Sequence, residues 1–373
     1  MRIKFMQDII DMIRKPTYTD SFEKRIKMLI KHSCPYYYPE DKMSDVVDNV
    51  NKVQICLNPL ANFRQYYKAL KRLDNLSGGG GIKKMEYTYN ELDDEYSREM
   101  FLIVVVRTLF DDVKIRFPQY YFRNLDRLPI FEQMKINDEE IKLWYNIIKL
   151  HNFDLSLIGY DTKIMLNVGG VQIDFIDEQY AYKNIIQVEK GDNVLDCGAC
   201  YGDTALYFIN KNKNCGKVYS FEFLPENIKI FKKNMDLNPK YKDNITLIQQ
   251  PVSDTSGQKL YFVPNGPGTS ITMHKTKEAL EVETISIDDF IKQNGIKKID
   301  FIKMDIEGSE KFALKGASET IKTFKPKLAI CVYHLKDDLI TIPKIIKDLV
   351  PEYKLYLDHY CINNNETVLY AKV

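Results

Sequence analysis

A glycine-bearing turn follows a short apolar run within residues 194–204, whose sequence is VLDCGACYGDT. Gly198 and Gly202 lie between the apolar run and a predicted helix over Asp203–Lys211. Glycine lets the backbone turn sharply and approach a ligand closely, and open α/β sheets bind ligands beyond the carboxyl ends of their strands. Asp196, at the tip of the predicted strand, can face the loop or a ligand amine. The pattern predicts a ligand-binding turn, and a simple tight turn is the alternative.

A second carboxylate comes at the end of the next predicted strand. Glu222 directly follows the apolar residues 218–221. A carboxylate at this strand tip can accept hydrogen bonds from the two hydroxyls of an adenosine ribose. NAD enzymes place an acidic residue similarly, so Glu222 indicates the ribose and leaves the cofactor open. A solvated residue before the helix that begins at Pro225 is the alternative interpretation.

A third acidic group distinguishes between cofactors. Asp305 ends the predicted strand over residues 299–305, and Glu307 lies in the turn beyond it. The strands that carry Asp196 and Asp305 should be neighbours, so both carboxylates should face one crevice. Two carboxylates there suit a ligand with a sulfonium and an ammonium group, and they would repel a pyrophosphate. For Glu307 and Glu310, the alternative is that they merely favour a helix N-terminus.

The elements that position these residues alternate between strands and helices. Helical stretches such as Pro225–Leu237 and residues 309–323 separate the apolar runs. This alternation indicates parallel strands joined by crossover helices, and hence a doubly wound α/β sheet. The predicted strands are residues 193–196, 217–222, 245–251, 299–305 and 327–333.

The two last predicted strands must pair differently. Residues 354–361 and 366–373 are joined through Asn-Asn-Asn at 363–365, a connection too short for a crossover, so they should pair antiparallel. A parallel sheet closed by a terminal antiparallel hairpin is the Rossmann-like architecture of class I methyltransferases. Upstream, residues 162–167 and Val171–Ile176 predict another hairpin, followed by a helical bridge over residues 177–188.

The first part of the chain is predicted to be a separate, mainly helical domain over residues 1–155, before a second domain over residues 156–373. It could cover the substrate, mediate oligomerisation or dock a partner. The glycines of residues 77–81 predict a mobile loop. Apolar positions near a 3.6-residue spacing predict helices over residues 21–31, 44–57, 61–73, 93–117 and 138–151.

Together these segments resemble the FkbM family of methyltransferases over about residues 159–373. The resemblance rests on the motifs DCGACYGDT, FEFLPEN, QPVSD, TISIDDF, IDFIKMDIEGSE, CVYH and HYCINNNETVLYAKV. It implies a bound S-adenosylmethionine and methyl transfer to an oxygen, mostly on sugars or polyketide-derived hydroxyls. Cys200 stands where many methyltransferases have a glycine, and FkbM-type sequences tolerate a side chain there. The implied cofactor-binding residues are Asp196, Gly198, Ala199, Cys200, Tyr201, Gly202, Thr204, Glu222, Phe223, Val252, Ser253 and Asp305.

Methyl transfer to a hydroxyl requires an aligned nucleophile and benefits from a positioned base, which contributes roughly 10²–10⁴-fold. His334 follows the predicted strand over residues 327–333 and is the candidate base, with Asp305 on the neighbouring strand. The alternative is a histidine that caps the helix beginning near Lys336. His359 also falls near a strand end.

A divalent metal is another way to acidify a hydroxyl. Asp254, Asp305 and Glu307 could supply oxygen ligands, but three carboxylates at loop spacings are a weak signal, so we do not favour a metal. The C-x-x-C pair at 197–200 has no second Cys/His pair at zinc-finger spacing, which argues against zinc or redox chemistry. Residues 265–270, with His274 beyond them, could shape substrate entry or form an ordinary turn.

The composition of the chain limits the classes of partner that it can bind. The net charge is +1, from 53 basic and 52 acidic residues, which gives no electrostatic footprint for nucleic acid or a membrane surface. The longest apolar run, residues 101–106, is far shorter than the roughly 20 residues that span a bilayer. Seven cysteines without small-disulfide-domain spacing favour the cytoplasm. A small-molecule or glycan acceptor with a free hydroxyl is expected, and a homodimer stays open.

The main hypothesis is therefore an S-adenosylmethionine-dependent O-methyltransferase that acts on a sugar or on a glycan precursor of a bacterial surface polysaccharide. The sugar is implied by the resemblance. An NAD-dependent sugar oxidoreductase or epimerase is one alternative, and an inactive nucleotide-fold binding protein is another. The Asp305/Glu307 pair, the terminal hairpin and the absent third glycine of G-x-G-x-x-G argue against NAD.

Overall fold

A computed structural model describes residues 75, 79–109, 130–143, 148–263, 269, 278–360 and 365–373. The helices predicted over residues 21–31, 44–57 and 61–73 lie outside the described residues, as do His274 and most of the loop at 265–270. In the part of the chain that is described, no helix is both long and apolar enough to cross a membrane.

The described elements are numbered in chain order. The strands are β1 (Lys135–Leu143), β2 (Ile148–Asp154), β3 (Lys163–Leu166), β4 (Val194–Cys197), β5 (Val218–Phe221), β6 (Ile245–Ile248), β7 (Lys259–Phe262), β8 (Leu280–Glu283), β9 (Phe301–Met304), β10 (Lys327–Cys331), β11 (Lys354–His359) and β12 (Thr367–Lys372). The α-helices are α1 (Gly81–Glu91), α2 (Glu95–Leu109), α3 (Ile130–Met134), α4 (Val168–Gly170), α5 (Asp203–Lys211), α6 (Pro225–Leu237), α7 (Ile287–Gln293), α8 (Glu310–Lys315), α9 (Ser318–Phe324) and α10 (Asp338–Leu349).

A seven-stranded sheet organises the structure, in the order β11-β12-β10-β9-β4-β5-β6. Strands β10, β9, β4, β5 and β6 are parallel, and β12 pairs antiparallel with both β10 and β11. All five predicted parallel strands and the terminal antiparallel hairpin are confirmed. Helices α5 and α6 have the predicted bounds, whereas the helix predicted over residues 309–323 is divided into α8 and α9.

The central strands are apolar on both faces because helices cover both sides of a parallel sheet. Every residue of β4 and β9 is buried. Alternate residues belong to two separate cores: Leu195 and Ile302 lie in one, and Val194 and Phe301 lie in the other. The polar residues of these strands are therefore forced either into buried pairs or toward the strand tips.

The helix predicted over residues 138–151 is wrong. This segment contains most of β1 and the start of β2, which pair antiparallel, and β2 also pairs with β3 in a three-stranded sheet. Leu150 and Phe153 are fully buried in the core below it. The acidic run DEE favours a helix start locally, but pairing with a distant strand outweighs that weak propensity.

The hairpin predicted over residues 162–176 is also wrong in its second half. Only β3 is a strand; α4 follows it, capped by Asn167, whose side chain accepts a hydrogen bond from the Gly170 N–H at 2.8 Å. Val171–Ile176 then forms a π-helix. Gly170 has a helical φ of −64°, so this glycine pair does not form the hairpin turn that its sequence suggested.

The helix predicted over residues 177–188 is wrong as well. This segment is irregular, with an isolated bridge between Tyr182 and Ile186. Glu178 and Lys183 have left-handed φ angles of 52° and 51°, which a continuous helix does not allow. The segment is held by long-range contacts, since the Tyr182 hydroxyl donates to Asp94 at 2.7 Å.

The described residues before β1 pack against the end of the sheet. The Thr88 hydroxyl of α1 donates to the Leu339 carbonyl of α10 at 3.2 Å. The hydroxyl of Ser97, in α2, accepts from the Leu357 N–H of β11 at 3.0 Å. For its described residues, the helix predicted over 93–117 is confirmed as α2.

Candidate active site

A cavity of about 350 Å³ opens where the parallel strands end. Its lining includes Gly198 after β4, Glu222 after β5, Val252 beyond β6, Asp305 after β9 and Tyr333 after β10. The strand tips thus bring together groups that are far apart in the sequence, at the edge where open α/β sheets bind ligands.

Glycine is required in the turn after β4. Gly198 has a φ of 85°, and a Cβ atom there would lie 1.9 Å from the carbonyl oxygen of Asp305. Gly202 has a φ of 80°, and a Cβ there would meet the ring of Phe231 at 2.8 Å. Cys200 also adopts a left-handed φ, of 43°, and lines the cavity. At Gly198, the turn therefore lies closer to the backbone that follows β9 than any residue with a side chain would permit.

Asp196 supports this turn from below. Thr204 donates to both of its carboxylate oxygens at 2.9 Å, and Lys303 Nζ lies 3.3 Å from Asp196 Oδ1. Lys303 also donates to the carbonyl oxygen of Gly198 at 2.6 Å. Burial lowers the pKa of Lys303, but attraction to Asp196 and Asp305 outweighs it and leaves the pKa above its ordinary value. Asp196 is fully buried and does not line the cavity.

Glu222 is held in one orientation by its neighbours. Its Oε1 accepts hydrogen bonds from the N–H groups of Phe223 at 2.7 Å and Leu224 at 2.8 Å. Its Oε2 accepts from Asn227 Nδ2 at 3.1 Å. Burial raises the pKa of Glu222, and these hydrogen bonds act in the opposite direction. Beside it, Phe223 and Val252 offer an apolar wall that suits a planar base.

Asp305 lies at the centre of the other end of the cavity. The Tyr180 hydroxyl donates to Oδ2 at 3.0 Å, and the Tyr333 hydroxyl donates to Oδ1 at 3.1 Å. His334 Nε2 lies 3.3 Å from the same Oδ1. Burial raises the pKa of Asp305, but His334 and Lys303 outweigh burial and hold the pKa well below its ordinary range.

His334 is enclosed by carboxylates. Its Nδ1 lies 2.9 Å from Glu310 Oε1 and its Nε2 faces Asp305 and, at 3.7 Å, Glu307. Burial lowers the pKa of His334, but the contacts to Asp305 and Glu310 raise it to about 11. The ring is therefore an imidazolium at neutral pH, and it is not among the residues that line the cavity.

The family model for the methyltransferase FkbM domain matches residues 196–354. This part of the chain is an FkbM methyltransferase domain. The match begins at Asp196, within β4, and ends at the first residue of β11, so it contains most of the residues that line the cavity. The protein is accordingly a methyltransferase whose methyl donor is S-adenosylmethionine.

Two relatives and one solved structure are similar to this chain. A hexuronic acid methyltransferase, AglP, from Haloferax volcanii is 26% identical over 196 residues, which are 52% of this chain and 76% of AglP. The 2-O-methyltransferase NoeI from Sinorhizobium fredii is 27% identical over 190 residues, 45% of this chain and 75% of NoeI. The crystal structure of methyltransferase FkbM from Methylobacillus flagellatus matches with a TM-score of 0.51 and 22% identity, over 78% of this chain and 58% of that one. This likeness shows the shared fold.

The FkbM domain places the predicted cofactor residues in two groups. Seven of them line the cavity, namely Gly198, Cys200, Thr204, Glu222, Phe223, Val252 and Asp305. The others lie behind the cavity surface and support it, namely Asp196, Ala199, Tyr201, Gly202 and Ser253. Ser253, for example, donates its N–H to the Ile285 carbonyl at 3.0 Å.

Several cavity groups were missed by sequence reasoning. Asp174 and Tyr180 lie in segments predicted to be strand and helix, and Glu366 begins a predicted strand, so no local signal marked them. Asp203 was read only as a helix start. Lys303 did carry a signal, because a lysine in the middle of an otherwise apolar strand must find a buried partner.

The end of the cavity around Asp305 also contains two carboxyl groups with raised pKa values, Glu307 and Glu366. We call these three residues the acceptor end, after the acceptor that the sequence predicts beside Asp305. Burial raises the pKa of Glu307 to about 7, against the attraction of His334. Burial and the repulsion of Asp305 raise the pKa of Glu366 to about 8. Both groups therefore change protonation near neutral pH.

The described residues offer only part of the metal set considered from the sequence. Asp305, Glu310 and His334 can each bring one ligand atom within 4.8 Å of the others. In the same cluster, His334 Nε2 lies 3.3 Å from Asp305 Oδ1, and His334 Nδ1 lies 2.9 Å from Glu310 Oε1. Asp254 is exposed, and its carboxylate contacts Ser253 and Thr255 at 3.4 Å rather than the cluster.

The C-x-x-C pair does not form a disulfide. Cys197 and Cys200 are both free thiols. Burial raises the pKa of each thiol above its ordinary value, so neither is held as a reactive thiolate. Cys197 packs in the core and Cys200 contributes to the cavity wall.

Proposed function

We propose that the FkbM domain transfers the methyl group of S-adenosylmethionine to a hydroxyl of a sugar or glycan precursor. The observation that carries this proposal is the acceptor end of the cavity, where Asp305, Glu307 and Glu366 stand beside the hydroxyls of Tyr180 and Tyr333. Carboxylates and tyrosine hydroxyls are hydrogen-bonding partners for a polyhydroxylated acceptor. The relatives named for a hexuronic acid and for 2-O-methylation support the same substrate class.

The charge of the cavity supports the cationic cofactor over NAD. Carboxyl groups are spread along the whole lining, and Lys303 is the one lysine or arginine among the described lining residues. Lys303 is engaged by Asp196 and the Gly198 carbonyl, so it is not free to bind a pyrophosphate. In the proposed complex, Glu222 accepts from the ribose hydroxyls and the methyl group points toward Asp305.

The hydroxyl must lose its proton as the methyl group arrives in line with the sulfonium. His334, proposed as base from the sequence, would first have to release a proton whose pKa is about 11. We therefore propose that the His334 imidazolium keeps Asp305 anionic and oriented, that Asp305 accepts the hydrogen bond of the hydroxyl, and that Glu307 or Glu366 takes up the proton. Their pKa values of about 7 and 8 suit that task.

The setting of the enzyme is a proposal of the same kind. Free Cys197, Cys200, Cys215 and Cys331 support a reducing, cytoplasmic location. Synthesis of a bacterial surface polysaccharide, a homodimer, and residues 1–155 as a separate domain that covers the substrate or docks a partner are retained as proposals.

The test uses S-adenosylmethionine with a trideuterated methyl group and a panel of free and nucleotide-linked sugars, hexuronic acids included. We expect a mass increase of one trideuteromethyl group on one acceptor class, placed on oxygen by fragmentation. Transfer to nitrogen or carbon would contradict O-methylation. Turnover of NAD with the same sugars, without methyl transfer, would favour the oxidoreductase.

A further inference from the structure

Two buried carboxyl groups, Asp174 and Asp203, face the cavity beside the glycine turn. They are 4% and 8% exposed, and each carboxyl group acts on the pKa of the other. Gln179 Nε2 donates to Asp174 Oδ1 at 3.0 Å. Asp203 Oδ1 is buried without a hydrogen-bond partner among the described residues. We call Asp174 and Asp203 the aspartate pair.

The negative charge of the aspartate pair is not balanced by a cation that is bound to the pair alone. Burial and repulsion by Asp203 raise the pKa of Asp174 well above its ordinary value. Burial also raises the pKa of Asp203, although Asp174 and Lys303 act against it. Lys303 is the cation that influences both groups, and it is held by Asp196 and the Gly198 carbonyl. Two adjacent buried carboxylates repel each other, so the pair favours either a bound proton or a bound cation.

Local structure aims the pair at a ligand. Asp203 is the first residue of α5, directly after Gly202, so it lies at the end of the glycine turn. Asp174 lies on the π-helix Val171–Ile176, a rare backbone form that occurs frequently at functional sites. The acidic groups of the cavity thus fall in three places: the proposed ribose acceptor Glu222, the aspartate pair at the turn, and the cluster of Asp305, Glu307 and Glu366.

We propose that the aspartate pair binds the α-ammonium group of S-adenosylmethionine and so fixes the amino-acid end of the cofactor. This rests on the cofactor, and it does not depend on the acceptor. S-adenosylmethionine carries two cations, a sulfonium and an ammonium, and only the ammonium has N–H donors. An unpartnered buried oxygen such as Asp203 Oδ1 requires a donor, since leaving it unpaired in a ligand complex is costly.

The aspartate pair can bind the ammonium group, whereas Asp196 cannot. Asp196 was the residue that the sequence suggested for the ligand amine, but Thr204, Ser220 and Lys303 occupy its oxygens. The aspartate pair takes over that role at the cavity surface.

The test measures calorimetric affinities of the full chain for three ligands: S-adenosylmethionine, S-adenosylhomocysteine and 5′-methylthioadenosine, which lacks the amino-acid end. For Asp174→Asn and Asp203→Asn, we expect the first two ligands to bind about 10–100-fold more weakly, as for a lost charged hydrogen bond. Binding of 5′-methylthioadenosine should change by less than about threefold. Glu222→Gln should weaken all three ligands, because all three contain the ribose.

The control is Asp177→Asn. Asp177 closes the same π-helix, accepts from Gln172 Nε2 at 2.9 Å and does not line the cavity. This variant should bind all three ligands as the wild type does. If one of the two pair variants fails to fold, the other still tests the proposal, because both carboxyl groups are required.

A second measurement detects whether the aspartate pair releases a proton when the cofactor binds. The ammonium group lowers the pKa of the pair that it binds, so binding of S-adenosylmethionine near pH 7 should release a proton, seen as a dependence of the binding enthalpy on the buffer. 5′-Methylthioadenosine should release none, and either Asn variant should reduce the release. Equal weakening of all three ligands, or unchanged S-adenosylmethionine affinity in both variants, would overturn the assignment. Failure of the wild type to bind S-adenosylmethionine would instead refute the cofactor itself.

Discussion

The two ends of the cavity are built on different physical principles. At the end formed by Glu222 and Gly198, which we call the cofactor end, backbone N–H groups and one amide hold Glu222, and Gly198 brings two backbone segments almost into contact. At the acceptor end, Asp305 and His334 belong to a cluster of carboxyl groups and tyrosines that share charge and protons. The first end is rigid because its partners are main-chain groups. The second can change its charge near neutral pH.

Because of this contrast, we expect substitutions at the two ends to have different effects on binding and turnover. A change at the rigid end removes either the space or the fixed donor, and the effect on binding should be nearly complete. A change at the charge-sharing end redistributes charge among the remaining groups, so the effect should be graded and should depend on pH.

The largest effect is expected for Gly198→Ala. Its Cβ would lie 1.9 Å from the Asp305 carbonyl oxygen, at a φ of 85°, so the turn must move. We expect S-adenosylmethionine affinity to fall by about 100-fold or more, equivalent to about 3 kcal/mol or more, as measured by calorimetry. Gly257→Ala is the matched control, since Gly257 has a φ of 73° but nothing within 4 Å of the new Cβ. Wild-type affinity in Gly198→Ala would show that the cofactor end is not rigid.

A smaller but still large effect is expected for His334→Gln. Loss of the imidazolium leaves Asp305 and the fully buried Glu310 without the cation between them. Turnover should fall by about 100-fold, because Asp305 loses the cation that keeps it anionic and oriented, and misplaced reacting groups cost rates of that order. Affinity for S-adenosylmethionine should stay within about threefold, because His334 does not line the cavity.

His359→Gln is the control for that variant. His359 is a buried histidine at the end of β11, where its Nδ1 contacts the Thr367 hydroxyl at 2.7 Å. It should keep near-wild-type turnover. If His334 is itself the base, its variant should also lose the rise of turnover with pH; if it positions Asp305, the rise should remain at a lower level.

The pH dependence of turnover tests the charge-sharing end directly. Glu307 and Glu366 have pKa values of about 7 and 8, so both are protonated at low pH and become competent to accept a proton as pH rises. Turnover should therefore increase between about pH 6 and pH 9. Glu366→Gln should remove the step near pH 8, Glu307→Gln the step near pH 7, and each should lower turnover at pH 8.5 by about tenfold.

The exposed Asp254 offers a control, since Asp254→Asn should leave this profile unchanged. A profile that is flat from pH 6 to 9 in the wild type would contradict proton uptake by either glutamate.

The smallest effect is expected for Tyr333→Phe. The lost hydroxyl donates one hydrogen bond to Asp305 at 3.1 Å, while Tyr180 and His334 still contact that carboxylate. One hydrogen bond is worth about 1 kcal/mol, so turnover should fall by about three- to tenfold. Tyr356→Phe is the control: the Tyr356 hydroxyl donates to Asp93, and its removal should leave turnover unchanged. A loss as large as that of His334→Gln would mean that Tyr333 acts directly on the substrate.

Strand and helix periodicity predicted the central sheet well because its signals are local. The strands β4, β5 and β9 are short apolar runs, each ending at an acidic residue or a glycine turn. Helices α5 and α6 were found with the predicted bounds, since glycine or proline marks each start. These features depend only on neighbouring residues.

The failures occur where long-range contacts override local propensity. Residues 138–151 have helical spacing, but residues 138–143 lie in β1 and residues 148–151 lie in β2, because β3 supplies a pairing partner. The π-helix at Val171–Ile176 places Asp174 in the cavity, and no periodicity announces a π-helix. Local sequence patterns therefore could not predict that Asp174 and Asp203 lie together in the cavity.

The sequence by itself determined the sheet, the glycine turn, the tip residues Glu222 and Asp305, and the methyltransferase family. Only the tertiary structure decided which carboxylates reach the cavity and what charge His334 carries. The physical reason is that strand order joins residues more than a hundred positions apart, such as Lys303 and Asp196. Burial then sets their pKa values through neighbours that no spacing in the chain reveals.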